Sequence, residues 1–517
     1  MKYFSSIALV FLVFIAQAQN KVQPKADASI PKDVQKWLAE NTAFKKGKAS
    51  QKGFFRADSV KIFGYIKGYD NNANYSSGII YHSNNLTVED LPTTVSIYKD
   101  GRFECVLAAL HPISSNILFN NNRIAFYAEP GTTTGIVVGD KKIEYLGVNK
   151  AINDQLAAID VPSPDNNMLT EYRKTQKPED FKQAQLRNWE SARKKTDSAM
   201  QVKQTPERVR KMIANQVDLT YAVYLFDYVM SRDYYLKEEP DNQILKLPIP
   251  ENYYDFLNKI NLDDQLLLIS DDFSTFINRF EFSPLFDRKV LSQNQKVNDY
   301  LKLDSAYLSK NKKTNLVYDI AKVRSLASYL KFFEYKTRSF AQESNAILTT
   351  VKEPFLMREL TRVYEKYKLG NVTYDLPNTT AAAVFKKIIS PLKGKILIVD
   401  FWSERCGPCR AGIEASLALR TKYKDNPDFD FIYVTDIEST GATFYEDYTK
   451  KNLMSNTHRI SADDYLALRA LFKFNGIPRY VLVTAEGKIQ DDNFASYNIK
   501  SEFRKYFPGK FPFDYWK

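Results

Sequence analysis

KILIVDFWSERCGPCR, residues 395–410, is the stretch whose reading decides how the last third of the chain folds. Between Lys395 and Asp400 the four residues Ile396 to Val399 run apolar, the pattern of a strand buried on both faces. Cys406 and Cys409 follow three residues apart, with Gly407 and Pro408 between them, where a helix is expected to begin. A dithiol of this spacing closes into a small disulfide ring with modest rearrangement. The thiolate is the reacting species, so its pKa sets reactivity. At a helix N-terminus the peptide dipoles favour an anion, and Arg405 and Arg410 flank the first cysteine. Cys409, in the first turn, is expected to be the more buried sulfur, placed to resolve a mixed disulfide.

Working outward, further strands are expected at 429–435, at 480–484 and from 489, with helices at 412–424, 442–451, 463–473 and 499–506. Alternation of this kind predicts a mixed sheet flanked by helices, an α/β domain spanning 371–517. Upstream the period changes twice. From 55 to 150 strand-like runs alternate with turn signals such as Asp100-Gly101, Pro130-Gly131 and Gly139-Asp140, predicting a small antiparallel β domain. From 151 to 370 the spacing is helical. Thr205-Pro206-Glu207 reads as a cap, a proline at the first helical position and an acid in the first turn. Val209, Met212, Ile213, Val217, Tyr221, Tyr224 and Tyr228 then fall along one stripe, with further helical segments at 253–260, 315–335 and 353–367. No fixed-period repeat emerges, so this region reads as an α-helical bundle with an aromatic core.

Met1-Lys2, the apolar run from Ile7 to Ala16 and Ala16-Gln17-Ala18 have the form of a secretory signal peptide occupying 1–18. Its apolar run falls short of the roughly 20 residues that span a bilayer, and residues 19–54 read as a polar lead-in. The mature chain is expected to be exported, soluble and periplasmic. Across 517 residues the formal net charge is +12, with 44% apolar and 14% aromatic residues, which excludes a mainly disordered chain. Basic runs at Arg193-Lys194-Lys195 and Arg208-Val209-Arg210-Lys211 are interleaved with acids on helices and read as solvated faces, so no nucleic-acid partner is expected. Three cysteines cannot staple a chain of this length into a disulfide scaffold.

The 395–410 segment resembles the active-site segment of thioredoxin, and the wider context resembles the exported bacterial TlpA/ResA-type thiol–disulfide oxidoreductases. Shared features are the Asp-Phe-Trp lead-in, the Cys-Gly-Pro-Cys motif, Gly476-Ile477-Pro478 before the strand at 480–484, and Glu486-Gly487-Lys488. The resemblance covers about 371–517. It implies that Cys406 attacks, Cys409 resolves and Asp400 assists proton transfer at the second cysteine. It also implies that Pro478 is cis and faces the dithiol, that Ile477 pairs with an extended substrate backbone, and that Trp402 packs beside the site. Trp402, Arg405, Gly407, Pro408, Ile477 and Pro478 are accordingly expected at the substrate-binding surface. Protein thiols and disulfides are the implied substrates. An electron-donating redox partner, membrane-bound or not, is implied as well, and no cofactor or metal. The Gly-Pro dipeptide points to the reducing direction. Two departures stand out. Arg405 replaces the usual tryptophan before the first cysteine. Gly412 stands where ResA-type members carry a glutamate three residues after the second, with Glu414 two positions on.

Other readings of the same residues remain. A zinc site needs about four ligands, and Cys105, His82, His111 and His458 offer no second close pair. Cys105 reads as a small buried apolar residue in a strand. A peroxidase of the same fold would use Ser403-Glu-Arg-Cys406, but Val399 occupies the place of its proline. Asp400 could instead be a strand-end acid paired with a lysine. A binding or assembly protein would work through the β and helical regions, with the dithiol incidental. Ser309-Lys-Asn-Lys312 has the S-x-x-K form within a charged stretch.

Overall fold

The computed structural model describes residues 29–42, 53–70, 75–120, 122–140, 142–286, 314–332, 351, 353–368 and 372–516. The expected signal peptide and Ser309-Lys-Asn-Lys312 lie outside the described residues.

Helix α1 (Lys32–Thr42) precedes ten strands. Eight of them, β1 (Asp58–Ile66), β2 (Ser77–Ile80), β5 (Thr93–Ile97), β6 (Arg102–Ala109), β7 (Ile113–Phe119), β8 (Asn122–Ala128), β9 (Thr133–Val138) and β10 (Ile143–Leu146), form one sheet. Its order is β10-β9-β1-β6-β5-β2-β7-β8. The short pair β3 (Ser83–Asn84) and β4 (Glu89–Asp90) forms a separate hairpin. Alternation fixes which face is buried: along β7, Ile113, Ser115, Ile117 and Phe119 point inward while their neighbours reach solvent. The sheet is antiparallel as expected except where β1 runs parallel to β9. That pairing joins segments about 70 residues apart, and no local turn signal announces it.

Among the described residues the helical region holds α2 (Lys150–Ala157), α3 (Leu169–Thr175), α4 (Pro178–Val202), α5 (Glu207–Met230), α6 (Arg232–Glu238), α7 (Gln243–Lys246), α8 (Phe273–Phe282), α9 (Leu316–Phe332) and α10 (Pro354–Lys368). Its core is aromatic: Phe181 stacks on Tyr228 with ring centres 4.1 Å apart, and Trp189 donates to Asp218 at 2.9 Å. Thr205 is not the cap of α5. Pro206 takes the N-cap with extended backbone, and the Thr205 hydroxyl is buried with no hydrogen-bond partner among the described residues. The segment at 253–260 winds as a 3₁₀ turn, Tyr253–Lys259, rather than an α-helix. The basic runs are paired: Arg193 binds Asp218, Lys194 faces Glu190, Arg208 reaches Glu129 and Lys211 faces Glu207.

The C-terminal part is a five-stranded mixed sheet flanked by helices, order β13-β12-β11-β14-β15. Its strands are β11 (Ile396–Phe401), β12 (Phe429–Asp436), β13 (Thr457–Ile460), β14 (Arg479–Val483) and β15 (Ile489–Asp491). The first three in sequence run parallel, and β14 and β15 run antiparallel to their neighbours. Every residue of β11 is buried, which is why its sequence is apolar on both faces, with Asp400 as its one polar residue, rather than alternating. The flanking helices are α11 (Thr380–Ile389), α12 (Gly407–Ala415), α13 (Leu417–Lys422), α14 (Ala442–Lys451), α15 (Ala462–Leu471) and α16 (Ile499–Tyr506). The helix expected from 412 starts earlier, directly after Cys406, and breaks at Ser416 into α12 and α13.

Candidate active site

Strand β11 ends at Phe401, and five residues later the chain turns into α12 with Cys406 at its N-cap. The turn is tied down along its length. The Trp402 N–H donates to the Val434 carbonyl at 3.0 Å and the Cys406 N–H to the Ser403 carbonyl at 3.1 Å. The Glu404 N–H donates to Thr440 Oγ1 at 3.1 Å, while Glu404 Oε2 accepts from the Gly441 N–H at 3.0 Å. Cys406 Sγ accepts the Cys409 N–H at 3.2 Å, so the sulfur takes up one of the free donors of the helix end. That is where a thiolate is stabilised. Cys406 and Cys409 are joined in a disulfide, their Cα atoms 5.3 Å apart. Cys406 is half-buried, Gly407 and Pro408 are exposed, and Cys409 is fully buried. Cys406 therefore keeps part of its surface in solvent while Cys409 is enclosed in the core.

The Ile477–Pro478 peptide is cis. Pro478 and Gly476 are exposed, and half-buried Ile477 packs with Cys406 against the cluster of Trp402, Cys409, Ile413 and Tyr433. Arg405 is exposed beside the disulfide. Trp402 requires a correction: it is fully buried, its ring stacked on Tyr448 at 5.4 Å and Tyr445 at 6.5 Å, so it supports the turn from below and offers no surface to a substrate.

Asp400 is buried, and its Oδ1 has no hydrogen-bond partner among the described residues. Its register neighbours on either side are tyrosines, Tyr433 on β12 and Tyr480 on β14. Side chains opposite one another share a face of the sheet, about 5 Å apart at Cβ. Tyr433 belongs to the cluster that includes Cys409 and Ile413, so this face lies under α12. Burial pushes the Asp400 carboxyl well above the usual carboxylate range, against the opposing pull of Arg420. That cation comes from α13 rather than from a lysine. It donates to the carbonyls of Ile413 and Asn452 at 2.8 Å each, and its guanidinium lies over the Tyr433 ring at 5.6 Å. The arrangement is a carboxyl whose burial favours the protonated form, on the face of the sheet that carries the cluster of the buried cysteine.

Gly412 lies on the same side. A Cβ there would stand 3.0 Å from the Tyr480 hydroxyl, so that tyrosine fills the space toward which a longer side chain would point. Glu414 is engaged elsewhere, accepting from the Tyr448 hydroxyl at 3.1 Å. Cys105, outside the site, is buried in β6, and burial pushes its thiol up to about 12.

Sequence reasoning missed Arg420, Tyr433 and Tyr480. The two tyrosines lie in strands that were legible, but only the cross-strand register brings them to Asp400. Arg420 reads as an ordinary helix cation and carries no signal of burial.

A model of thioredoxin-like domains matches residues 394–489, and this part of the chain is a thioredoxin-like domain. Among curated proteins none matches the chain. Solved structures similar to part of it include a Bacteroides vulgatus protein described as a thiol-disulfide oxidoreductase. That protein is 27% identical, with 23% of this chain and 76% of that one covered and a TM-score of 0.20. A thiol:disulfide interchange protein from Bacteroides sp. is 23% identical, covering 24% and 79%, with a TM-score of 0.21. The thioredoxin domain of another Bacteroides vulgatus thiol-disulfide oxidoreductase is 25% identical, covering 22% and 83%, with a TM-score of 0.19.

Proposed function

We propose that the chain is an exported, periplasmic thiol–disulfide oxidoreductase of the TlpA/ResA type that reduces disulfides in other proteins. The observation that carries this reading is the Cys406–Cys409 pair at the start of α12, the first residue partly exposed and the second fully buried. In the reduced chain the Cys406 thiolate attacks a substrate disulfide. A bond forms from Cys406 Sγ to one substrate sulfur, the substrate S–S bond breaks, and the departing thiolate takes a proton from solvent. Cys409 then gives its proton to the Asp400 carboxylate and attacks Cys406 Sγ. The mixed disulfide breaks, the second substrate thiolate leaves and is protonated, and the Cys406–Cys409 disulfide forms. Two electrons pass from the dithiol to the substrate. A dithiol donor protein restores the reduced state by the reverse exchange.

In this reading Ile477 offers backbone to an extended substrate segment beside Pro478, and Arg405, Gly407 and Pro408 form the exposed rim it meets. Export rests on the pattern of residues 1–18. Among the described residues no helix is long and apolar enough to cross a membrane. We take 55–150, 151–370 and 371–517 as the working divisions of the mature chain.

Equilibration of the full chain with glutathione tests the direction. The Gly-Pro dipeptide predicts a potential near about −270 mV, whereas a value above roughly −150 mV contradicts a reductase. Cys406→Ser should abolish disulfide reduction in the same assay.

A further inference from the structure

The β3–β4 hairpin, with its flanking residue His82, touches two other parts of the molecule. On one side it is rooted in the helical region. Leu86 at its tip is fully buried in the helical core. Asn84 donates to Glu359 at 3.1 Å, Arg324 donates to the Asn85 carbonyl at 2.7 Å, and Arg362 pairs with Glu89. On the other side it grips the loop that leads to Pro478. The Asn475 N–H donates to Asp90 Oδ2 at 3.0 Å, and the Asn475 amide donates to the His82 carbonyl at 2.9 Å and to Ser83 Oγ at 2.8 Å. The Asn475 carbonyl accepts from Arg469 at 2.8 Å, and the Arg469 guanidinium lies 5.6 Å over the Tyr81 ring next to the hairpin. Asp463, in the first turn of α15, accepts from the Ser76 N–H at 2.9 Å, so the helix feeding this loop is anchored to the β sheet as well.

Asn475 is thus held at its N–H, its carbonyl and its side chain. The next residue, Gly476, is exposed, with open space where a Cβ would stand. Ile477 follows and packs against the dithiol cluster. The hairpin restrains the chain two residues before Ile477, and the intervening glycine adds no side-chain restraint of its own.

We propose that the β3–β4 hairpin is a positioning element of the redox site, setting the 476–478 loop for an extended, disulfide-bearing polypeptide, with Asp90 and Asn475 as positioning residues. This rests on the oxidoreductase reading. A small disulfide needs only Cys406, whereas a polypeptide needs the loop backbone too, so the two kinds of substrate separate the roles.

Full-length Asp90→Ala and Asn475→Ala are compared with wild type on insulin and on 5,5′-dithiobis(2-nitrobenzoate). Losing one such hydrogen bond predicts an insulin KM raised about three- to tenfold, with kcat within about twofold. The small disulfide and the glutathione equilibrium should be unaffected. Asp90→Asn keeps an acceptor oxygen and should behave as wild type. Hydrogen exchange across residues 473–478 should quicken in Asp90→Ala. An unchanged insulin KM in both alanine variants overturns the proposal, as does equal slowing on both disulfides or unchanged exchange. If wild type reduces neither disulfide, the oxidoreductase reading fails, and hydrogen exchange alone decides the role of the hairpin.

Discussion

Asp400 is a carboxyl that folding places among Tyr433, Tyr480 and the underside of α12, with one oxygen unpartnered among the described residues. In the unfolded chain it ionises near about 3.9. In the folded chain burial holds its proton to higher pH, so the folded state binds more protons and stability falls as pH rises above that value. Asp400→Asn should therefore be more stable than wild type at pH 8, by about 1–3 kcal/mol, the cost of a buried group left without a partner. The difference should vanish below about pH 4. Thermal melts across that range check this, and a gap that grows toward acid would contradict it. The same variant should slow resolution by Cys409 while leaving attack by Cys406 largely intact, measured as accumulation of the mixed disulfide. At this scale the sequence was informative for one contiguous segment. Cys406, Cys409 and Asp400 stand within ten residues, and strand followed by helix dictates their relation. Sequence alone puts Trp402 at the binding surface because its neighbours along the chain say nothing of Tyr445 and Tyr448, which cover it.

The hairpin at 83–90 is short enough to escape any periodicity count, yet it joins three regions. Leu86 has no exposed surface, and cutting it to alanine removes buried methyl groups and leaves a cavity. Leu86→Ala should cost about 2–5 kcal/mol and lower the melting temperature by several degrees. A shift within error would mean that the hairpin tip is not rooted in the helical core. The longer elements were readable because their hydrophobic period is long: β11, β12, β14 and α16 fall where turn and period signals put them. The parallel β1–β9 pair is not, since it is decided by a distant partner rather than by local sequence.

At the scale of the whole molecule, polar contacts connect the sheet, the helical region and the thioredoxin-like domain. Glu89 illustrates their strength. Its burial alone would raise its pKa, but hydrogen bonds from Arg362 and Thr87 outweigh that and bring it down from 4.5 to about 2. A carboxyl held below its unfolded value stabilises the fold above about pH 4.5 and loses that contribution as pH falls toward 2. Glu89→Gln should therefore destabilise the chain at pH 7 by about 1–2 kcal/mol, allowing for the partial exposure of Arg362. The loss should shrink in acid, as melts at pH 3 and pH 7 would reveal. None of these connections was legible beforehand, because each spans hundreds of residues and uses ordinary charged and amide side chains. The dithiol is what gives the assembly a chemistry. Its most direct test is to mix reduced, full-length Cys409→Ser with insulin and follow the products by non-reducing mass spectrometry. The account predicts a covalent adduct through Cys406 that dithiothreitol dissolves and that is absent from the Cys406→Ser/Cys409→Ser double variant. No adduct, or an equal amount in the double variant, would contradict it.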